Sequence, residues 1–139
     1  MEATIIRNEL GQFAMAPEKI RAINLENMLA QFTGTNEYHR FSILSSLVLT
    51  DGVKCLCEQA SSYWLMDVIA SYQSKCNKDE MLKDFQLWTL KVNGSQGVVT
   101  CERDTNDVAI RQVIPYTDFP LKEIKLYCEN GVICLPSER

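Results

Sequence analysis

The chain has 139 residues, of which 46% are apolar, and a sequence of this length and composition can bury the core of one domain. Its 14 basic and 18 acidic residues give a net charge of −4. The chain therefore lacks the excess of basic residues that generic nucleic-acid-binding proteins use to neutralise phosphates, which argues against that class. No apolar run approaches the roughly 20 residues that cross a bilayer, and the N-terminus has no signal-peptide core. We therefore expect a cytoplasmic protein that binds neither membranes nor nucleic acid in general.

The cysteines predict neither a disulfide framework nor a metal site. They contain no Cys-x-x-Cys pair, and the single histidine is not spaced to complete a structural zinc site. In a cytoplasmic chain thiols stay reduced, and buried thiols pack as small apolar side chains. We expect all six cysteines to be reduced and to pack as small apolar side chains. We also expect no metal and no cofactor. The six are Cys55, Cys57, Cys76, Cys101, Cys128 and Cys134.

The first part of the chain predicts an arm, a helix and a loop. Residues 1–16 keep no helical or strand period, and we expect an N-terminal arm. Apolar residues recur at helical intervals after Pro17, which predicts a helix over 18–32 that ends at the glycine-containing turn 33–35. Residues 36–41 predict a polar and aromatic loop that leads to a second helix.

Two further helical segments follow this loop. Thr50 can cap a helix whose apolar residues keep the three-and-four spacing as far as Ala60. Another segment with helical spacing covers residues 62–74, after a pair of serines. The polar stretch 74–80 marks the clearest boundary in the chain, and the hydrophobic period changes there.

The second half of the chain alternates as β-strands do. The predicted strands cover residues 85–92, 98–101, 108–110, 124–128 and 132–135. Glycine-containing turns, of which Asn130-Gly131 is the sharpest, favour hairpins between them. Because helices precede strands, we predict an α+β fold: N-terminal helices packed on one face of a four- to five-stranded antiparallel meander sheet, with residues 17–139 as a single domain.

Candidate chemistry centres on the loop that holds the only histidine. His39 lies among Glu37, Tyr38 and Arg40, and histidine is the usual side chain for acid–base work near neutral pH. Three interpretations stay open for it: a structural or surface residue, a contact to a ligand or partner, or a catalytic group. A nucleophile–base pair needs spatial proximity, which spacing alone does not give.

Three aspartates are candidates to join the histidine in a site. Asp51 and Asp118 stand in contexts typical of a helix cap and a turn, which favours structural roles over a metal pair. Asp67 interrupts an apolar helical segment. Helical spacing places it with Ser71 and Ser74 on the polar edge of that helix, and burial among apolar side chains is the alternative.

The aromatic residues either fill the core or line a pocket for a planar ligand. Nothing in their spacing separates these two roles. The set is Tyr63, Trp64, Tyr72, Trp88, Tyr116 and Phe119.

Several ordered blocks between Phe32 and Glu138 resemble a known family. They are Phe32-Thr33-Gly34-Thr35, Thr50-Asp51-Gly52-Val53-Lys54, residues 63–73, residues 117–121 and Leu135-Pro136-Ser137-Glu138. On these blocks the chain resembles an uncharacterised bacterial family of small proteins, a domain of unknown function found in bacterial genomes and on mobile elements. It departs from the family pattern at Cys55, where the family favours an aromatic residue. The resemblance implies a compact domain from an accessory gene of phages, plasmids or their hosts, and it transfers no catalytic residue.

The leading hypothesis of function is a small accessory protein that acts by binding a host protein or a small molecule. By analogy it would be a phage- or plasmid-associated inhibitor of a host defence complex, or a sequestering protein. The runner-up is a small-molecule-binding protein or minor enzyme that uses His39 with Asp51, Asp67 and Asp118. The third hypothesis is a structural homo-oligomer without a ligand. The residues expected to contact a partner or ligand are Glu37, Tyr38, His39, Arg40, Asp118 and Phe119, and none is expected to be catalytic.

The predicted meander leaves an edge strand with unpaired backbone groups. Residues 3–6 of the arm are the nearest β-like segment able to pair with it. This pairing would form within one chain or between two, and we expect a homodimer.

Overall fold

The computed structural model describes residues 5–7 and 13–139. Its helices are α1 (Pro17–Leu29), α2 (Asp51–Ala60), α3 (Tyr63–Ser71) and α4 (Gln73–Cys76), and a short 3₁₀ turn covers Pro136–Glu138. Its strands are β1 (Ile5–Arg7), β2 (Phe13–Met15), β3 (His39–Arg40), β4 (Val48–Leu49), β5 (Phe85–Asn93), β6 (Gln96–Asp104), β7 (Asp107–Ile114), β8 (Glu123–Glu129) and β9 (Val132–Cys134).

The helix starts follow the local signals in the sequence. Pro17 occupies the first turn of α1, where its missing N–H is not needed. Thr50 caps α2, because its Oγ1 accepts a hydrogen bond from the backbone N–H of Val53 at 3.4 Å. Ser61 ends α2 in the left-handed region at φ 51°. The segment predicted over 62–74 divides at Tyr72 into α3 and α4.

Within the described residues, seven strands form one mixed sheet in the order β3-β4-β9-β8-β5-β6-β7. The β4–β9 pair is parallel, and the other neighbouring pairs in this sheet are antiparallel. The α+β class is confirmed. The prediction of four or five strands is wrong, because two-residue strands such as β3 and β4 are too short to show alternation.

The chain order of the sheet also differs from a simple meander. After β7 the chain returns to place β8 beside β5, on the side away from β6. The strands β3 and β4 separate α1 from α2 along the chain, so the helices do not all precede the sheet. This arrangement puts β3 at one edge of the sheet, next to the start of α2.

One face of the sheet carries the core. Trp88, Cys101 and Leu126 are register partners on neighbouring strands, and all three are buried. The Tyr72 ring, at the end of α3, lies 6.0 Å from the Trp88 ring, so α3 packs on this face. The indole N–H of Trp88 donates to the Gln86 side-chain oxygen at 2.8 Å, which satisfies this buried polar group.

The predicted arm contains a hairpin of its own. Strand β1 pairs antiparallel with β2, with Ile5 opposite Met15. The described part of the arm therefore pairs with itself and not with an edge of the seven-stranded sheet. Ala3 and Thr4, which belong to the stretch predicted to pair, lie outside the described residues.

All six cysteines are free, five of them are buried, and Cys55 is half-buried. Burial raises the pKa of the Cys57 and Cys128 thiols to about 12. Such thiols are poor nucleophiles at neutral pH and pack as apolar side chains. Across the described part of the chain, no helix is both long enough and apolar enough to cross a bilayer.

Candidate functional site

The loop after α1 is fastened to the start of α2 by one threonine. Thr35 Oγ1 accepts a hydrogen bond from the backbone N–H of Asp51 at 2.8 Å. The same hydroxyl donates to the carbonyl oxygen of Glu37 at 2.6 Å. The loop residues that the sequence singled out are thereby brought against the N-terminal turn of α2.

His39 and Asp51 form a hydrogen-bonded pair. Nε2 of His39 lies 2.7 Å from Oδ1 of Asp51, and the two side chains are 19% and 25% exposed. A carboxylate only accepts, so the imidazole donates. This bond and a second one from the backbone N–H of Asn36, at 2.9 Å, hold the pKa of the Asp51 carboxyl below its ordinary value. The pair therefore contains an ionised carboxylate at neutral pH.

Glu37 completes a group of three possible metal ligands. One ligand atom each from Glu37, His39 and Asp51 lies within 4.8 Å of the others. Glu37 is exposed, whereas His39 and Asp51 are half-buried. The sequence predicted no metal site. These residues come from a loop, a strand and a helix, so no short spacing pattern links them.

The N-terminus of α2 also receives a carboxylate from the C-terminal end of the chain. Glu138 accepts hydrogen bonds from the Thr50 hydroxyl at 2.6 Å, and from the backbone N–H groups of Gly52 and Leu135 at 3.0 Å. Gly52 has no side chain at this approach, and a Cβ there would lie 2.6 Å from Glu138 Oε1. Sequence reasoning missed Glu138, although the resemblance included its block.

A cavity of about 400 Å³ opens beside Asp51. Its lining consists mostly of polar loop residues: Gln31, Phe32, Thr33, Gly34, Thr35, Asn36 and Asp51. This space lies next to the histidine–aspartate pair and is large enough for a small polar ligand.

The predicted contact residues divide between two places. Tyr38 is 63% exposed, and Arg40 is exposed while its Nη2 donates to the carbonyl oxygen of Ser45 at 3.2 Å. Asp118 is exposed and Phe119 is 4% exposed, and both line a separate cavity of about 340 Å³ beside the end of β5. The structure therefore does not join this second pair to the 36–41 loop in one cavity.

The aspartates of the runner-up hypothesis are likewise not gathered together. Asp67 is exposed with Ser71 on α3, as the polar-edge interpretation predicted, and both line a cavity with Phe41. Asp118 lies at the other cavity already described. Of the three aspartates proposed to act with His39, the structure places only Asp51 against it.

Among the residues whose burial the structure describes, the most exposed large apolar side chains are two that the sequence did not single out. Ile43 and Leu44 lie in the connection between β3 and β4, and each is 93% exposed. Apolar residue types predict burial, so the exposure of these two side chains is not predictable from their types.

Residues 23–139 match the model of a family of unknown function, DUF6876, and the chain therefore belongs to this family. The matched range contains the loop, β3, α2 and Glu138, hence every residue of the site described above. This confirms the resemblance to an uncharacterised family. No curated protein sequence and no solved structure matches the chain.

Proposed function

We propose that the protein acts by stoichiometric binding, as a cytoplasmic accessory protein that docks on a protein partner. The observation that carries this proposal is the pair Ile43 and Leu44, each 93% exposed, which we name the hairpin tip. Single exposed apolar residues are ordinary, but adjacent large ones that project into water are typical of interaction sites. Tyr38, the residue immediately before β3, adds an exposed aromatic ring nearby in the chain.

Local hydrogen bonds hold the hairpin tip in shape before any partner binds. The Leu44 N–H donates to Ser42 Oγ at 3.1 Å, and the Leu47 N–H donates to Ser45 Oγ at 3.1 Å. The guanidinium of Arg40 bridges to the Ser45 carbonyl across the hairpin, and Leu47 is buried in the core. A preorganised tip loses less conformational entropy on binding, which favours affinity.

The shape of this surface favours a protein partner. Small-molecule sites are concave and bury most of the ligand, whereas the hairpin tip projects outward. A cavity of about 430 Å³ lies beside it, lined by Phe41, Leu44, Asp67 and Ala70 among others. A partner with an apolar pocket would receive the tip, and this cavity would take a side chain from the partner.

The mode of action that this surface supports is blocking or sequestration. An inhibitor of a host defence complex, carried by a phage or plasmid, would work in this way and would need no catalytic group.

A second candidate, a small polar ligand or minor enzymatic activity, is favoured by one observation. The His39–Asp51 pair lies next to the cavity of about 400 Å³ that Asp51 lines. A histidine oriented by a carboxylate is the arrangement of a general base. It ranks second because neither Asp67 nor Asp118 lies in that cavity.

The test uses the full chain with Ile43→Ser and Leu44→Ser combined. Both side chains are almost fully exposed, so the double variant should keep the wild-type stability within about 0.5 kcal/mol per substitution. The matched control replaces Met81 and Tyr116 by serine, since these are 51% and 73% exposed elsewhere on the surface. Quantitative affinity purification from the native host compares the three proteins.

We expect the wild type and the control to recover a host protein that the tip variant recovers at least tenfold less. With the purified partner, the wild type and the control should then bind with similar affinity, and the tip variant should bind at least tenfold more weakly. Equal recovery of every protein by all three baits would refute docking through the hairpin tip.

A further inference from the structure

We propose that Glu37, His39 and Asp51 form a binding site for a divalent transition-metal ion of the zinc class. The three residues come from a loop, from β3 and from the first position of α2. Only the folded chain brings them together, so the site requires the folded state. Their ligand atoms lie within 4.8 Å of one another. One imidazole nitrogen with two carboxylate oxygens is a ligand set that zinc accepts, while magnesium prefers oxygen ligands alone.

The ligand atoms need small movements to hold an ion. A tetrahedral zinc ion with bonds of about 2.0–2.1 Å holds its ligand atoms about 3.4 Å apart. The His39 Nε2 and Asp51 Oδ1 atoms are 2.7 Å apart, so they would separate slightly to admit the ion. The exposed Glu37 side chain would turn toward them. Meanwhile the His39 backbone is held by its register pairing with Leu49 on β4.

The proton between His39 and Asp51 has a place to go. On metal binding at Nε2, a neutral ring moves its single proton from Nε2 to Nδ1 by exchange with solvent, whereas a doubly protonated ring releases its Nε2 proton to solvent and keeps the proton on Nδ1. The ring then binds as the neutral imidazole that metals require. Asp51 binds through the oxygen that accepted the hydrogen bond.

The charges around the site favour a cation. Glu138 places a further carboxylate at the same end of α2. The basic residue in that first turn of the helix, Lys54, lies 3.8 Å from Glu58, its partner one turn further along. An ion of charge +2 would therefore offset negative charge at this end of α2.

Three protein ligands leave at least one coordination position for water or another ligand. The cavity of about 400 Å³ beside Asp51 provides the space for it. The site is therefore of the open kind, in contrast to the closed four-ligand sites that only hold a fold together. None of its ligands belongs to the hairpin tip, so metal binding by the purified chain can be measured without a docking partner.

The experiment titrates chelator-treated full-length protein with Zn²⁺ in competition with a chromophoric chelator, and repeats the titration with Co²⁺ and Mg²⁺. We expect one Zn²⁺ per chain, no competition by Mg²⁺, and a Co²⁺ spectrum without a sulfur-to-cobalt charge-transfer band. Glu37→Gln and His39→Gln should each weaken Zn²⁺ binding at least tenfold. Glu37 is exposed, so its variant removes a ligand without threatening the fold.

Two variants serve as controls. Asp67→Asn removes an exposed carboxylate from another cavity, and Cys55→Ser removes the half-buried thiol. Both should bind Zn²⁺ as the wild type does, and Zn²⁺ should raise the melting temperature of the wild type but not of Glu37→Gln. The proposal is overturned by an absence of stoichiometric binding, by unchanged affinity in Glu37→Gln and His39→Gln, or by a thiolate signature in the Co²⁺ spectrum.

Discussion

Replacing Glu138 by alanine should destabilise the fold by about 2–3 kcal/mol. The Glu138 carboxylate joins the end of the chain to the first turn of α2 through three accepted hydrogen bonds, from Thr50, Gly52 and Leu135. Thr50 is buried, so its hydroxyl would lose its acceptor without ready access to water.

The magnitude follows from the kind of bond and its exposure. A hydrogen bond to a charged group contributes about 1.5–3 kcal/mol when it is well shielded from water. Glu138 is half-buried, so water can replace part of what the two backbone N–H groups lose. This reduces the expected loss to the equivalent of about one such bond. For a domain of this size, the melting temperature should fall by about 6–12 °C.

The assay is urea and thermal unfolding of the full chain, followed by circular dichroism. Glu138→Gln keeps one acceptor oxygen and should lose less stability than Glu138→Ala. Ser137→Ala changes the exposed neighbouring residue and should stay within about 0.5 kcal/mol of the wild type. If Glu138→Ala unfolds within 0.5 kcal/mol of the wild type with the same urea dependence, these hydrogen bonds do not stabilise the fold as argued.

Three further predictions concern other parts of the fold. Arg103 donates a hydrogen bond to Asp79 at 2.7 Å and lowers the pKa of that carboxyl. The ion pair therefore contributes fully to the free energy of unfolding above the ordinary aspartate pKa, and this contribution is lost as the pH falls through the lowered pKa of Asp79. The stability difference between wild type and Asp79→Asn, from urea unfolding, should therefore be constant above about pH 5 and shrink below about pH 4; an equal difference at pH 3 and pH 7 would contradict this. Gly52→Ala should lower the melting temperature by several degrees more than Gly34→Ala, since a Cβ at Gly52 would lie 2.6 Å from two side-chain atoms and one at Gly34 would meet nothing within 4 Å; similar melting curves would show that the neighbours of Gly52 move aside freely. Light scattering at tens of micromolar should give about twice the chain mass of 15.9 kDa if the expected homodimer forms, and a mass near 15.9 kDa would exclude it.

The parts of the fold that local chemistry specifies could be predicted from the sequence. The start of α2 follows from Thr50, whose side chain caps the helix, and the last hairpin follows from Asn130-Gly131, both in the left-handed region. Strands β3 and β4 could not be predicted, because each has two residues. They form through long-range pairing, with Val48 of β4 opposite Val132 of β9. A strand of two residues is too short to show the alternation of apolar and polar residues by which strands are recognised in a sequence.

The site was predictable in its members but not in its assembly. The sequence singled out His39 as its one histidine and Asp51 as a residue at a helix start, each from local context. Their contact depends on how Thr35 fastens the loop to α2, which is a property of the folded chain. Glu138 reaches the same helix from 86 residues away in sequence, and no spacing pattern covers such a separation.

The same long-range contacts connect the histidine to the hairpin tip. His39 begins β3, a two-residue edge strand that has β4 as its neighbour in the sheet, so backbone pairing alone fixes the tip weakly. Asp51 belongs to α2, whose Val53 and Leu56 are fully buried, so the 2.7 Å bond from His39 ties a sparsely paired strand to a rigid part of the core. Loss of that bond would leave the tip's residues in place while widening the range of positions that they sample. Binding must then restrict a broader ensemble, so substitutions at His39 are expected to weaken docking through the proposed hairpin tip while leaving every residue of the tip in place.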